Sequence, residues 1–195
     1  MPENTIYKPA EDSFLLSGVL TKILPSFLLK NKNLKFLEIG CGSGIQLETA
    51  LKSGVKKENI FGVDINTRAV EHCKKLGFNV IKSNLFLSFK GKVVSGKPWF
   101  SHKFDVIIFN PPYLPNDSRE PRSSKMATTG GKKGGELINK FLKQVKNYLA
   151  DKGKIILLTS SLTGDVKFKG YNKKLLAEDK LFFERLYIWE FSPSG

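Results

Sequence analysis

The 195-residue chain is 41% hydrophobic and 26% charged, and its 32 Lys and Arg outnumber 18 Asp and Glu for a formal net charge of +14. This length suits one domain with a full hydrophobic core, and no low-complexity tract or internal repeat interrupts it. Two cysteines, Cys41 and Cys73, with His72 and His102, exclude a disulfide framework and argue against a resident metal. With no signal peptide and no apolar run near the ~18 residues of a membrane span, a cytoplasmic protein without a membrane partner is expected.

In chain order, "EDSFLLSGVLTKILPSFLL" (11–29) has apolar residues at helical spacing, with Asp12 or Ser13 as cap and Pro25 as a kink or stop. "KFLEIG" (35–40) reads as a short strand running into "GCGSG". "IQLETALKSG" (45–54) is a helix stopped by Gly54, and "NIFGVD" (59–64) a second strand. "TRAVEHCKKLG" (67–77) is a helix capped by Thr67 and closed by Gly77, and "FNVIKSN" (78–84) a third strand. "KFDVIIFN" (103–110) has the unbroken hydrophobicity of a central parallel strand. "GELINKFLKQVKNYLA" (135–150) is an amphipathic helix, "KIILLTS" (154–160) a fifth strand, and the tail offers two more. Residues 85–102 fit no confident helix, and 114–133 form a polar stretch expected to be a flexible loop. Residues 1–30 are expected to be a helical lid segment within the single domain.

Strands alternating with helices of this length predict right-handed βαβ units and a doubly wound, mostly parallel α/β sheet. Such sheets bind ligands beyond the carboxyl ends of their strands. The glycine loop, Asp64, Asn84 and Asn110 all fall there.

In "EIGCGSG" the glycines fall at 40, 42 and 44, which is not the G-x-G-x-x-G spacing associated with pyrophosphate. The chain instead presents Glu38 before the turn and Asp64 at the end of the second strand. A carboxylate at Asp64 suits a ribose diol, while nearby acids oppose a phosphate and favour a cation. Gly40 and Gly42 let the backbone approach the ligand closely. A cationic nucleoside without phosphate points to S-adenosyl-L-methionine, leaving as S-adenosyl-L-homocysteine. Asn84 then stands at the adenine with Leu85 and Phe86 as apolar cover, unless it merely ends a strand.

The fourth strand ends in "NPPY", Asn110-Pro111-Pro112-Tyr113. An amide or aromatic amine nitrogen is a poor nucleophile because its lone pair is delocalised. Two acceptors aimed at its hydrogens, the Asn110 side-chain oxygen and the Pro111 carbonyl, would hold the planar NH₂ for in-line methyl transfer. Pro111 and Pro112 stiffen that carbonyl, and the Tyr113 ring can stack on the planar group. Adenine N6, cytosine N4 and a glutamine amide all satisfy this chemistry.

In order along nearly the whole chain, "YKPAEDSFLL", "FLEIGCGSG", "FGVDIN", "SNLF", "FNPPY", "GGKKGGELINKFL" and "LFFERL" resemble the HemK-type glutamine N5-methyltransferases, in the short form of archaea and eukaryotes. The resemblance implies a Rossmann-like class I methyltransferase fold. It also implies methylation of the glutamine of the Gly-Gly-Gln tripeptide in class I translation termination (release) factors, and a heterodimer with a small zinc-binding activator subunit. It places Ser13 near the cofactor's amino-acid end, Glu38 and Gly40 in the first cofactor motif, Asp64 on the ribose, and Asn84–Leu85 at the adenine. Asn110 to Tyr113 match the amide clamp, with Tyr7 and Pro9 closing over the site. Two features depart from the family: Asn84 stands where Asp is usual, and only about ten residues separate the fifth strand from the next, too few for a crossover helix. The partner is expected on the third strand, an exposed sheet edge.

The charge of +14 leaves nucleic acid open as a partner, although the lysines are scattered in ones and twos. A nucleic-acid amino-methyltransferase is the first alternative, opposed by the lack of a target-recognition domain. A non-catalytic cofactor-binding module is the second, opposed by the complete NPPY.

Overall fold

The computed structural model describes residues 6–90, 103–116, 118, 119 and 128–194. Helix α1 (Glu11–Lys30) leads into strand β1 (Phe36–Ile39), α2 (Ile45–Lys52), β2 (Ile60–Asp64), α3 (Thr67–Lys75) and β3 (Asn79–Lys82). After β4 (Phe104–Phe109) come two short strands, β5 (Leu114–Pro115) and β6 (Thr129–Gly131), then α4 (Glu136–Val145). Three long strands close the chain: β7 (Leu149–Ser160), β8 (Tyr171–Lys180) and β9 (Arg185–Pro193).

Seven strands form one sheet in the order β3-β2-β1-β4-β7-β9-β8. The first five are mutually parallel, with Glu38 of β1 beside Gly62 of β2 and Ile108 of β4. Strand β9 runs antiparallel between β7 and β8. The expected doubly wound, mostly parallel sheet is present, and β3 lies at its edge as expected.

The unbroken apolar run of β4 follows from burial on both faces. Val106 and Ile108 pack with Leu16, Leu20 and Leu24 of α1 on one side. Ile107 and Phe109 pack with Ile138, Phe141 and Val145 of α4 on the other.

Local details differ from the sequence reading. Helix α1 begins at Glu11 behind Ala10, which makes no side-chain cap bond, so Asp12 and Ser13 lie in the first turn rather than capping it. Pro25 neither ends nor stops the helix, which continues to Lys30. It sits on the exposed face, and the carbonyl four residues back belongs to exposed Thr21, where water can replace the missing donor. Asn66 caps α3, its side chain accepting from the Arg68 N–H at 3.0 Å, and Thr67 is the first helical residue. Asn wins because the backbone is still extended at 66.

By length and composition α1 could cross a membrane, yet its Leu16, Leu20 and Leu24 side chains are fully buried against the sheet. It is a core helix. Between β7 and β8, residues 161–170 form turns and extended chain in place of a crossover helix, as the spacing requires. Most of the irregular stretch 85–102, namely residues 91–102 with His102, lies outside the described residues. So do residues 117 and 120–127 of the expected flexible loop.

Leu20→Ala is expected to lower unfolding free energy by about 2–5 kcal/mol, the range for a fully buried leucine. Urea denaturation checks this, and a change below about 1 kcal/mol would mean α1 is not part of the core.

Candidate active site

Two groups of residues meet at the carboxyl edge of the parallel strands. The first is the turn after β1. Gly40, Gly42 and Gly44 have φ of 71°, 48° and 82°, a left-handed path that favours glycine at each. The Gly40 and Cys41 N–H groups donate to the Val63 carbonyl at 2.7 and 3.0 Å, tying the turn to β2. Gly42 N–H donates to Asp64 Oδ2 at 2.8 Å, and Asn66 N–H to Asp64 Oδ1 at 2.8 Å. Asp64 thus holds the turn and the start of α3 together. Burial raises its carboxyl pKa against the lowering by these backbone bonds.

Glu38 lies behind the turn, 3% exposed. Burial, helped by Cys73 and Asp64 nearby, pushes its carboxyl well above the usual carboxylate range, opposed by a bond from the Leu47 N–H. Its Oε2 has no hydrogen-bond partner among the described residues. A buried acceptor without a donor suits a cationic or polar ligand group. Cys41 and Cys73 are both buried free thiols, and the Cys73 thiol donates to the Gly42 carbonyl at 3.6 Å. They pack beneath the turn.

Beyond β3, Asn84 is exposed, while Leu85 is buried with a φ of 52°, a conformation rarely adopted by a leucine. The Ser83 hydroxyl, donating to the Leu85 carbonyl at 2.7 Å, holds it there. Stored backbone strain of this kind collects at binding sites. Ile65, directly after Asp64, is 50% exposed. It offers an apolar surface beside Asp64, the acid expected on the ribose, a residue missed in the sequence although its place after the acidic strand end signals it. Glycine turn, paired carboxylates and apolar flank fit a cationic nucleoside.

The second group is built on Asn110. Its Nδ2 donates to Asp12 Oδ2 at 2.9 Å, and its Oδ1 is buried with no partner among the described residues. Asp12 is 6% exposed, and its other oxygen accepts from Tyr7 Oη at 3.3 Å, Ser13 N at 2.6 Å and Ser13 Oγ at 3.2 Å. Tyr7 and Ser13, expected on the cofactor, therefore both give their hydroxyls to Asp12. The Ser13 carbonyl in turn accepts from Gln46 Nε2 at 2.8 Å, joining α1 to α2. In the sequence alone Asp12 is only a candidate helix cap. The chain offers no local signal for its role, because its partner is 98 positions away.

Pro111 is buried, and Tyr113 packs against both core clusters. Burial pushes the Tyr7 phenol up to about 12, with Asp12 adding to it. Tyr113 is raised further by burial and by the carboxylates of Asp12 and Glu184. Glu184 is fixed by the Ser160 hydroxyl, which donates to it at 2.5 Å. Two phenols and the carboxylates of Asp12 and Glu184 thus gather at the corner that holds Asn110.

The backbone of this corner is braced by glycines. Strand β5, continuing from Tyr113, pairs with β6, so both ends of the expected loop are ordered pairs. A Cβ on Gly130 would collide with the Pro112 carbonyl, and one on Gly134 with the Tyr113 carbonyl. Only a bare backbone packs this close, and that accounts for Gly130 and Gly134 of "TGGKKGG".

A methyltransferase-domain family model matches residues 30–184. A Methanocaldococcus jannaschii chain named for protein N5-glutamine methyltransferase activity is 38% identical over 192 residues, 94% of this chain and 89% of that one. The eRF1 methyltransferase catalytic subunit of Schizosaccharomyces pombe is 32% identical over 162 residues, 76% of this chain and 69% of that one. Among solved structures, the E. cuniculi Mtq2–Trm112 complex, responsible for methylation of the eRF1 translation termination factor, matches with a TM-score of 0.65. It is 25% identical, with 96% of this chain and 98% of that one covered.

Glu38 holds its proton to higher pH in the folded chain than in the unfolded one. Its contribution to stability is full below about pH 4.5 and is lost as pH rises through the folded-state value. Without added ligand, Glu38→Gln is expected to melt at a temperature that falls less than wild type between about pH 5 and 8. Parallel melting profiles would contradict the buried, unpaired carboxylate.

Proposed function

The chain belongs to the methyltransferase family that includes the protein N5-glutamine methyltransferases, and on that premise we propose that it methylates the glutamine side-chain amide of the Gly-Gly-Gln motif in a class I translation release factor. The observation carrying this reading is the buried, unpaired Oδ1 of Asn110, an acceptor aimed away from Asp12 and awaiting an N–H donor.

S-adenosylmethionine supplies an electrophilic methyl group on a sulfonium centre. Glu38, Gly40, Gly42, Asp64, Ile65, Asn84 and Leu85 are the residues that would hold it. On the substrate side, Asn110 Oδ1 accepts one amide hydrogen and the Pro111 carbonyl the other, which fixes the plane of the NH₂. Asp12 keeps the Asn110 amide from flipping, since only Nδ2 can donate to a carboxylate. Tyr113 stacks on the planar amide. As the nitrogen takes the methyl and gains positive charge, the carboxylates of Asp12 and Glu184 stabilise it, and the surplus amide proton, directed at Asn110 Oδ1 or the Pro111 carbonyl, is lost to water. Positioning and electrostatics carry the step without a strong general base.

The surroundings favour a polypeptide acceptor over a nucleic acid. Carboxylates at the rim repel phosphates. Beside Glu184, the β8–β9 turn presents Phe182 and Phe183, 98% and 78% exposed, the kind of aromatic surface enriched at protein interfaces.

A small zinc-binding activator subunit is the proposed partner, adding a strand to the free edge of β3. Support comes from the position of β3 in the strand order and from the two-protein complex to which the chain is similar. Full activity of a monomer, unchanged by adding that subunit, would rule this out.

Labelled methyl transfer from S-adenosylmethionine is expected to a class I release factor and not to one with its Gly-Gly-Gln glutamine replaced; label in RNA or DNA alone would overturn the reading. Asn110→Ala is expected to lower kcat by about 10²-fold or more while retaining S-adenosylmethionine binding by calorimetry. Asp12→Ala should lower kcat by about 10²-fold with the same binding retained, as expected for a residue that positions Asn110. An unchanged kcat would remove that role.

A further inference from the structure

The charge of +14 has no place in the acidic acceptor site. It has one elsewhere. Because residues 161–170 replace a crossover helix, a cleft of about 550 Å³ stays open between α4 and this connector. Lys140, Lys143 and Lys146 line one wall, Lys167 and Lys169 the other. A second cleft of about 560 Å³ shares Lys146 and continues past Lys152 and Lys154.

The two walls are held at a set separation. Asn139 Oδ1 accepts from the Lys167 N–H at 2.8 Å, and Asn139 Nδ2 donates to the Asp165 carbonyl at 2.8 Å. Tyr171 Oη donates to the Leu142 carbonyl at 2.5 Å, and Phe168 stacks on Phe191 at 5.1 Å. Lys146 Nζ lies 4.6 Å over the Tyr171 ring. Little negative charge offsets the lysines. Glu136 is bonded to the Lys133 N–H at 3.0 Å, and Lys154 pairs with Glu190 at 3.4 Å. Asp151 lines the second cleft and Asp165 pairs with Lys133 at 2.6 Å. Among the described residues, Lys140, Lys143, Lys167 and Lys169 form no ion pair.

We infer that the two joined clefts bind the phosphate backbone of single-stranded RNA. A protein partner fits poorly, because interface cores are depleted in lysine and rely on aromatic or arginine anchors. Lysines act as point charges on flexible stems and suit successive phosphates. At about 550 and 560 Å³ the clefts are the size of small-ligand pockets and have room for nucleotide-sized groups. None of the residues assigned to the acceptor site lines either cleft.

The test is fluorescence anisotropy with a labelled single-stranded RNA of about 12 nucleotides, titrated at about 50 to 200 mM salt. Wild type should bind with an affinity that falls steeply with salt, at about −0.7 in log–log slope per phosphate contacted. Lys143→Glu/Lys167→Glu should lose at least about tenfold in affinity and flatten the slope. It should also melt like wild type and still methylate free release factor, since both lysines are exposed and outside the catalytic machinery. Lys22→Glu/Lys30→Glu on exposed positions of α1 makes the same charge change and should bind nearly as wild type. Equal loss in both variants, equally tight binding of a glutamate oligomer or duplex DNA, or no salt-dependent binding by wild type would overturn the inference.

Discussion

One hydrogen bond organises the candidate site: Asn110 Nδ2 to the buried carboxylate of Asp12. A carboxylate only accepts, so the bond settles which end of the Asn110 amide faces inward and leaves Oδ1 as the open acceptor. Everything that positions these two residues contributes to that choice. Strand β4, buried on both faces, delivers Asn110 to the sheet edge, and two prolines hold the chain there. Helix α1 is anchored by its leucine face, and its first turn carries Asp12 against the site. Tyr7 and Ser13 fill the other Asp12 oxygen, so its hydrogen-bonding capacity is directed and its burial tolerated.

The sequence was most legible where one residue type answers to one local demand. Alternating strands and helices, the glycine turn after β1, and the β3 edge followed from periodicity and spacing. Asp64 and Asn110 were marked by their places at strand ends. The missing crossover helix followed from arithmetic on the chain between β7 and β8. What stayed hidden depends on contacts between distant segments. Asp12 looks like a helix cap until α1 is laid beside β4. Gly130 and Gly134 of "TGGKKGG" look like part of a polar loop until their backbone is seen against the Pro112 and Tyr113 carbonyls. Pro25 looked like a helix stop because local rules do not say which face water reaches.

Charge divides the molecule by task. Carboxylates gather around the Asn110–Tyr113 corner, and lysines gather in the clefts left by an absent helix. Composition reports only the sum, which is why scattered lysines in the sequence resolve into facing walls only in the fold. A short connector in place of a helix thus both reduces the cover over the sheet and opens a basic surface.

The most direct measurement is a crystal structure of the chain with S-adenosylhomocysteine and a Gly-Gly-Gln peptide. The account expects the glutamine Nε2 about 3 Å from both Asn110 Oδ1 and the Pro111 carbonyl, with Asn110 Nδ2 still donating to Asp12. A peptide amide bound away from Asn110, or an Asn110 side chain turned so that Nδ2 faces the peptide, would contradict it.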